Sequence, residues 1–240
     1  MFGLSVGLTA ACLLAVFVGA TVQASIGMGT GMVAAPILAF ADPDFIPAAI
    51  LISILPLTFA VAWGDRAHID RRGVGVALIG RVPGLIVGAY VAASLSDDVL
   101  AMLVAGSVLL GVAVSLTSKR FGPTTPALVF AGMASGFTGT TTGVGGPPMG
   151  LTYQHSDAAT IRSTLSAFFS VGSVLSLIAL VIAGDIGRRQ WELGVLLLPA
   201  IGAGVLAARA LRDRLHAEVI RPAVLVICTI AAAALLIETI

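Results

Sequence analysis

Two glycine-rich motifs are the part of this sequence with the clearest chemical potential. The first reads Gly27-Met-Gly-Thr-Gly31 and the second Gly143-Val-Gly-Gly-Pro-Pro148, and each interrupts a long apolar segment. Helices rarely run through such motifs, because glycine exposes the backbone and proline lacks an N–H group. A helix that restarts beyond the interruption presents free N–H groups and the positive end of its dipole. Each motif therefore predicts a backbone site that the oxygens of a small oxyanion can approach.

Neutral hydrogen-bond donors flank both motifs and extend the predicted anion site. They are Gln23, Ser25 and Thr30 around the first motif and Thr138, Thr140, Thr141 and Thr142 around the second. The candidate substrate-binding residues also include Gly27, Gly29, Gly31, Gly143, Gly145, Gly146 and Pro147. Prolines suit the first turn of a restarted helix, where a missing N–H has no cost. The alternative is that the glycines only permit close helix packing, which fits Gly84, Gly88 and Gly202 better than the proline-containing motif.

Two arginines complete the set of candidate substrate-binding residues. Arg81 stands eight residues into an apolar segment, about 12 Å deep at ~1.5 Å per residue. A cation at that depth needs a partner, so Arg81 either balances a bound anion or reaches an interface or buried carbonyl groups. Arg162 begins the sixth apolar segment, close in sequence to the second glycine motif. It either contacts the anion or anchors the segment at the membrane surface.

The remaining titratable residues argue against an enzyme. All 12 Asp and Glu residues and all 3 His residues fall in loops or at segment ends, so the spans lack the intramembrane relay typical of proton-coupled pumps. No catalytic triad, carboxylate pair or metal-ligand cluster is recognisable, and no cofactor is expected. Cys12 and Cys228 lie in apolar runs without a CxxC motif, which favours two buried thiols. The net charge of +1 provides no basic face for nucleic acid.

Composition indicates that a membrane-embedded set of helices positions these residues. Of the 240 residues, 58% are apolar and 10% charged, whereas a soluble domain carries about 25% charged residues. The charges divide the chain into eight apolar segments: 4–41, 46–63, 73–93, 98–117, 126–153, 159–183, 191–210 and 219–237. A single crossing takes about 20 residues, which fits six segments, while the two segments with glycine motifs are longer. We therefore expect an all-α polytopic membrane protein, because lipid requires internally satisfied backbone groups.

The two motifs also indicate an internal repeat. A shift of 116 residues places Gly27 on Gly143 and Gly29 on Gly145. The chain is thus predicted to contain two tandem repeats, residues 1–120 and 121–240, within one integral membrane domain. Each repeat would have a glycine-broken, re-entrant-like helical segment followed by three transmembrane helices. Broken helices at matching positions of two repeats indicate a transporter binding site.

Two membrane topologies are compatible with this predicted repeat. If both broken segments cross the membrane, the repeats are parallel and 7 basic residues face the cytoplasm against 5 outside. If both broken segments fold back, the second repeat is inverted, and 10 basic residues face the cytoplasm against 2 outside. The ten are Arg66, Arg71, Arg72, Lys119, Arg120, Arg162, Arg209, Arg212, Arg214 and Arg221. Because cytoplasmic loops are enriched in Lys and Arg, the sequence favours inverted repeats with both termini outside.

The motifs resemble those of a known family. The stretch from Gln23 to Gly31, with Pro36 behind it, is similar to the first-repeat signature of the sulfite exporter TauE/SafE family. The stretch from Gly136 to Pro148, followed by Thr160-Ile-Arg-Ser-Thr164, resembles the second signature, and the likeness extends over essentially the whole chain. The resemblance implies an exporter of small sulfur oxyanions such as sulfite, sulfoacetate or related sulfonates. It also implies that the two motifs line the substrate path, with Arg162 as an anion contact.

The sequence and the resemblance together predict a secondary transporter in the cytoplasmic membrane. Two broken-helix N-termini would hold the anion near the midplane while the repeats alternate access to the two sides. The membrane potential favours anion export by about 2.3 kcal/mol per charge at ~100 mV. The expected partners are a small anion and the bilayer, while a homodimer and a coupling ion, H⁺ or Na⁺, are left open. The alternatives are an anion channel or facilitator and a non-transporting membrane subunit that holds a partner.

Overall fold

The structure is a computed structural model that describes residues 4–116, 122–211 and 217–239. Over these ranges the chain forms helices and connecting turns, without a β-strand. The α-helices are α1 (Val6–Ile26), α2 (Thr30–Ala41), α3 (Ala48–Gly64), α4 (Arg71–Ser94), α5 (Asp97–Ser115), α6 (Thr125–Thr142), α7 (Gly146–Tyr153), α8 (Ala158–Ala183), α9 (Arg188–Ala210) and α10 (Ala217–Thr239). Short 3-10 turns, Pro43–Phe45 and Arg66–His68, precede α3 and α4. The predicted all-helical architecture is confirmed.

Seven helical stretches in the described ranges are long and apolar enough to cross a membrane. Six of them contain α1, α3, α4, α5, α8 and α9, and the seventh is α10 from Pro222 onward, whereas α2 has 12 residues and α7 has 8. Polar residues begin several of these helices. The Ser5 hydroxyl caps α1, and the carboxylates of Asp70 and Asp157 cap α4 and α8 by accepting from first-turn N–H groups. This arrangement is that of a multi-pass helical membrane protein.

Both glycine motifs interrupt the helix that contains them, as predicted. Residues 27–29 separate α1 from α2, and residues 143–145 separate α6 from α7. Gly27 (φ 88°) and Gly143 (φ 74°) follow α1 and α6 in the left-handed conformation, which a residue with a Cβ adopts at a cost in free energy. Each of these N–H groups donates to the carbonyl four residues earlier, at 2.7 Å and 3.2 Å respectively. Glycine at these positions therefore ends both helices.

The short helix after each break packs against the helix before it. A Cβ added at Gly29 would lie 2.7 Å from Cγ1 of Val22, and one added at Gly145 would lie 3.0 Å from the Ser135 carbonyl oxygen. The Ser135 hydroxyl also donates to the Gly145 carbonyl at 2.6 Å. In a continuous helix, residues this far apart in sequence would be separated by about 10 to 15 Å. The chain therefore reverses at each break, so that α2 returns along α1 and α7 returns along α6.

Glycines bring the backbones of α4 and α6 into direct contact. Gly84 has no room for a Cβ because the Met133 carbonyl lies against it, and a Cβ at Gly88 would lie 2.8 Å from the Phe137 carbonyl oxygen. On the facing helix, a Cβ at Gly136 would lie 3.0 Å from the backbone nitrogen of Leu85. Small residues four apart permit this kind of approach in membranes. The close packing predicted for Gly84 and Gly88 is confirmed, whereas the same prediction for Gly202 is wrong, since no described atom lies within 4 Å of a Cβ added there.

The helix ends gather at two sides of the protein. The ends of α3, α5 and α9 and the starts of α8 and α10 line one cavity, and we call this the cavity side. Helix α9 begins at the opposite side, where Arg189 pairs with Asp42 and Asp44 just beyond α2. We call this the Arg189 side. Gln190 also donates to Asp44 there, at 2.9 Å. The 23 residues of α9 separate the two sides by about 34 Å.

The two breaks lie where two apolar cores meet. The larger core consists mainly of residues from α1, α2, α3, α5, α9 and α10, with contributions from the later turns of α4 and α8, and it includes Met32 and Val144. The smaller core joins α4, α6, α7 and α8 and includes Met149 and Phe168, with Met28 packed against it. Residues in or next to each motif therefore belong to both cores. This packing holds the breaks in the protein interior.

Candidate functional site

The two helix breaks contact each other. Gly31 has no room for a Cβ because the carbonyl of Gly143 lies directly against it. A Cβ added at Gly146 would lie 3.2 Å from the Cβ of Met28, so the contact involves both sides of each motif. The structure therefore brings together the predicted site residues of the two motifs, although they belong to opposite halves of the chain.

The first break has a buried hydroxyl without a partner. The Thr30 N–H donates to Oε1 of Gln23 at 3.0 Å, so the Gln23 side chain caps α2 through its oxygen. The Thr30 hydroxyl is fully buried and makes no hydrogen bond within the described residues. The Ser25 hydroxyl donates to the Thr21 carbonyl at 2.7 Å. The Thr30 hydroxyl and the other first-turn N–H groups of α2 are thus the groups of this break that a ligand could bind.

The second break is held by threonine hydroxyls of α6. Thr138 and Thr142 donate to carbonyls one turn earlier, at 3.0 Å and 2.7 Å. Thr141 donates to the carbonyl of Phe137 at 2.8 Å, and its hydroxyl lies 3.2 Å from the carbonyl oxygen of Gly88 in α4. Two prolines occupy the first turn of α7, as predicted. These hydroxyls position the break through carbonyl groups, and their oxygens keep acceptor capacity.

A cavity of about 640 Å³ connects the breaks with the cavity side. Among the predicted site residues, it is lined by Ser25 and Gly29 at the first break, by Pro147 in α7 and by Arg162 in α8. Most of the other lining side chains are apolar. They include Val22, Ile26, Met28, Met32, Val61, Leu151, Val205 and Leu225. The polar groups are concentrated at helix ends and include Asp65, Ser115, Gln154 and Arg209.

Arg162 lines this cavity as one half of an ion pair. Its Nε and Nη2 lie 2.7 Å and 2.5 Å from Oδ2 of Asp65. The side chains are 12% and 24% exposed, so the pair faces the cavity from a mostly enclosed position. A Cβ added at Gly27 would lie 2.8 Å from the Arg162 Cα. Arg162 therefore packs against the first break, although it follows the second break in sequence.

Arg81 lies outside the cavity lining and is fully buried. Its side chain is 1% exposed, and its Nη1 and Nη2 donate to the hydroxyls of Ser135 and Ser176 at 3.2 Å and 3.1 Å. The guanidinium carbon lies 5.0 Å from the ring centre of Phe168. The Nε group makes no hydrogen bond, and no carboxylate of the described ranges pairs with the side chain. Hydroxyl dipoles and an aromatic ring are thus the groups that face this charge.

Sequence reasoning missed the side chains that face the two arginines. Asp65 is 97 residues from Arg162, and Ser135 and Ser176 are 54 and 95 residues from Arg81. Pairs this distant leave no periodic pattern in a single sequence. One available signal is that a buried charge requires polar neighbours. That requirement directs attention to serines in the middle of apolar helices, such as these two.

The chemistry that the site offers is hydrogen bonding and charge. Over the described part of the chain, no group of three His, Cys, Asp or Glu side chains could hold a metal ion. Backbone N–H groups, hydroxyls and a guanidinium group bind oxyanions well, because charged acceptors make short, strong hydrogen bonds. The cavity and the breaks together define a polytopic helical membrane protein with two helix breaks in contact and a cavity that reaches them from one side.

Comparison with known families places the chain among membrane transporters. Residues 11–235 match the family model described as Sulfite exporter TauE/SafE. Because the match spans nearly the whole chain, the chain belongs to the sulfite exporter TauE/SafE family, and it is a multi-pass membrane protein. The family predicted from the sequence is thereby confirmed. Neither the curated proteins nor the solved structures provided a match to this chain.

Proposed function

We propose that this protein is a secondary transporter that exports small sulfur-containing oxyanions, such as sulfite, sulfoacetate or related sulfonates, across the cytoplasmic membrane. The observation that carries this proposal is the contact between the two breaks, Gly31 against Gly143, beside a cavity that reaches Gly29 and Pro147. The anion would bind between the starts of α2 and α7, where the helix dipoles favour negative charge. Membership of the sulfite exporter family supports the choice of a sulfur oxyanion.

The unpartnered Thr30 hydroxyl supports a ligand at the first break. A buried hydroxyl without a hydrogen bond costs about 1 to 3 kcal/mol, and Thr30 is in the first turn of α2. A bound oxyanion would accept from this hydroxyl and from neighbouring N–H groups, which would recover that cost. Arg162 would bind the anion in the cavity. In the structure its guanidinium pairs with the carboxylate of Asp65.

The distribution of basic residues supports inverted repeats with both termini outside. Arg162 and Arg209 line the cavity, and Arg66, Arg71 and Arg72 follow α3 on the same side. Arg188 and Arg189 begin α9 on the opposite side. Lys119, Arg120, Arg212 and Arg214, which the topology prediction also uses, lie outside the described residues. The cavity side would therefore be cytoplasmic, by the enrichment of basic residues there.

Alternating access would move the hairpin formed by α1 and α2 relative to the hairpin formed by α6 and α7, around the bound anion. The cavity reaches the breaks from the proposed cytoplasmic side, so the structure would correspond to a state that loads anion from the cytoplasm. An anion leaving a cell that is negative inside gains about 2.3 kcal/mol per charge at ~100 mV. Export would then proceed without a carboxylate relay in the membrane.

The experiment that tests this function is flux of radiolabelled sulfite, sulfoacetate and sulfolactate in proteoliposomes. Purified protein should catalyse saturable uptake with counterflow, and Gly145→Leu should abolish it, because a Cβ at position 145 would lie 3.0 Å from the Ser135 carbonyl oxygen. Gly202→Leu is the matched control, since no atom of the described residues lies within 4 Å of a Cβ at that position. Imposed Na⁺ and pH gradients in the same assay identify a coupling ion.

Three outcomes would contradict parts of the proposal. Normal transport by Gly145→Leu would remove the second break from the mechanism. Flux that does not saturate and shows no counterflow would identify an anion channel instead of a carrier. Absence of flux for all three anions with folded protein would favour the remaining alternative, a membrane subunit that does not transport.

A further inference from the structure

The buried guanidinium of Arg81 is linked to the second helix break by two successive hydrogen bonds. Nη1 donates to the Ser135 hydroxyl at 3.2 Å, and that hydroxyl donates to the Gly145 carbonyl at 2.6 Å. Gly145 directly precedes α7. The Ser135 hydroxyl therefore accepts a hydrogen bond from the cation through a lone pair and donates its own proton to the carbonyl. The two hydrogen bonds point the same way, since each donor is nearer to Arg81 and each acceptor is nearer to the backbone of the break.

A second contact ties the same guanidinium to the last turn of α6. Nη2 donates to the Ser176 hydroxyl at 3.1 Å, and this hydroxyl lies 2.7 Å from that of Thr140. A Cβ added at Gly139 would lie 3.5 Å from Nη2 and 3.2 Å from the Cα of Gly145. Arg81 thus lies beside Gly139 in the last turn of α6, and it is linked to Gly145 in the break through Ser135.

The surrounding helices leave space for this charge but provide no counter-ion in the described residues. Gly172 of α8 has no room for a Cβ because Nε of Arg81 lies against it. The Nε group has no hydrogen-bond partner, and each described ion pair involves another arginine. An unpaired charge in a buried position is unfavourable. Its field acts on nearby groups with little screening, because water and salt are excluded.

We infer that Arg81 is a positioning residue for anion binding at the second break, acting through Ser135 and through its unpaired positive charge. This inference rests on the proposed function. Arg81 would not touch the anion, since it lies outside the cavity lining. It would orient the Gly145 peptide and add a positive potential at the start of α7. Among ligands of similar size, the charge would favour dianions such as sulfate over monoanions such as methanesulfonate.

The test is the affinity of the purified full chain for sulfate and for methanesulfonate, by isothermal titration in detergent at fixed ionic strength. Arg81→Met should weaken methanesulfonate binding by on the order of tenfold and sulfate binding by on the order of a hundredfold, because Coulomb energy scales with ligand charge. Arg81→Lys keeps the charge and should restore the preference for sulfate. A merely structural role would weaken both probes by the same factor.

Serine variants provide a second measurement if Arg81→Met does not fold. Ser135→Ala breaks the link to Gly145 and should weaken both probes by about two- to tenfold. Ser166→Ala is the matched control, because Ser166 is a buried serine of α8 whose hydroxyl has no partner in the described residues. Its affinity for both probes should stay at the wild-type value.

The outcomes separate this inference from the proposed function. Equal loss for both probes in Arg81→Met, or wild-type affinity in both Arg81→Met and Ser135→Ala, would overturn the role of Arg81 and leave the anion site standing. Failure of the wild-type protein to bind either probe would overturn the anion site, and this inference with it.

Discussion

Gly27 at the end of α1 packs directly on the backbone of Arg162 in α8, where a Cβ at position 27 would lie 2.8 Å from the Arg162 Cα. The left-handed conformation of Gly27 (φ 88°) and this contact both exclude a side chain. The first break and the arginine that lines the cavity therefore form one packed unit. Displacement of the break would move Arg162 relative to Asp65, with which it pairs from α8 to the end of α3.

The Asp65–Arg162 pair should compete with the anion for the guanidinium. Arg162→Gln removes a charge-assisted hydrogen bond and should raise the Kd for sulfite by on the order of tenfold. Asp65→Asn removes the competing carboxylate and should lower this Kd by a few-fold. Titration of sulfite into the two purified variants and the wild type measures both effects. Similar weakening in the two variants would instead mean that the pair acts as a structural support.

The contact between the breaks should be sensitive to a single methyl group. Gly31→Ala places a Cβ against the Gly143 carbonyl, and overpacking of this kind costs about 1 to 3 kcal/mol. We expect flux in proteoliposomes to fall by on the order of tenfold, with a lower melting temperature in detergent. Gly75→Ala is a matched control, since a Cβ there has no neighbour within 4 Å in the part of the chain that the structure describes. Equal flux from the two variants would show that the contact is dispensable.

Asp185 should make stability depend on pH. It lies between α8 and α9, where burial and then the charge of Asp44 raise the pKa of its carboxyl from 3.8 to about 6. Because the folded state binds the proton more tightly than the unfolded state, stability falls as pH rises from about 4 to 6 and then levels off. Asp185→Asn should therefore melt at a higher temperature than wild type at pH 7.5, and the difference should vanish near pH 4.

The control for Asp185 is the same substitution at an exposed position. Asp98 lies in the first turn of α5 and is exposed, so Asp98→Asn changes the net charge equally without removing a buried carboxyl. Melting curves from pH 4 to 8 in detergent would compare the three proteins. A constant difference between Asp185→Asn and wild type over this range would exclude titration of Asp185 as the cause.

The proposed topology predicts which loops reagents reach from outside the cell. Cys12 and Cys228 are buried, so a cysteine added on the surface should dominate the labelling. Gly187→Cys, between α8 and α9, should react with a membrane-impermeant maleimide in intact cells. His155→Cys, an exposed position after α7 on the cavity side, should react only after the membrane is opened. The reverse pattern would defeat inverted repeats with both termini outside.

The helices and both breaks followed from one sequence, whereas most contacts of the site did not. Charges at segment ends located the spans, and Gly27 and Gly143 marked the ends of α1 and α6 because glycine tolerates positive φ. The partners of Arg81 and Arg162 depend on which helices lie side by side, and a single sequence carries no signal of that. The Gln23 amide was expected as a donor, yet its oxygen caps α2, because the orientation of an amide depends on its neighbours.

The glycine contact between α4 and α6 restricts which parts of the protein can rearrange. Carbonyl oxygens of α6 lie against Gly84 and Gly88 without intervening side chains. A rotation or slide of either helix by a fraction of a turn would drive Cβ atoms into those oxygens. We therefore expect α4 and α6 to travel as a single stiff body. Any sliding between helices would have to occur at other contacts, such as that between α5 and α10.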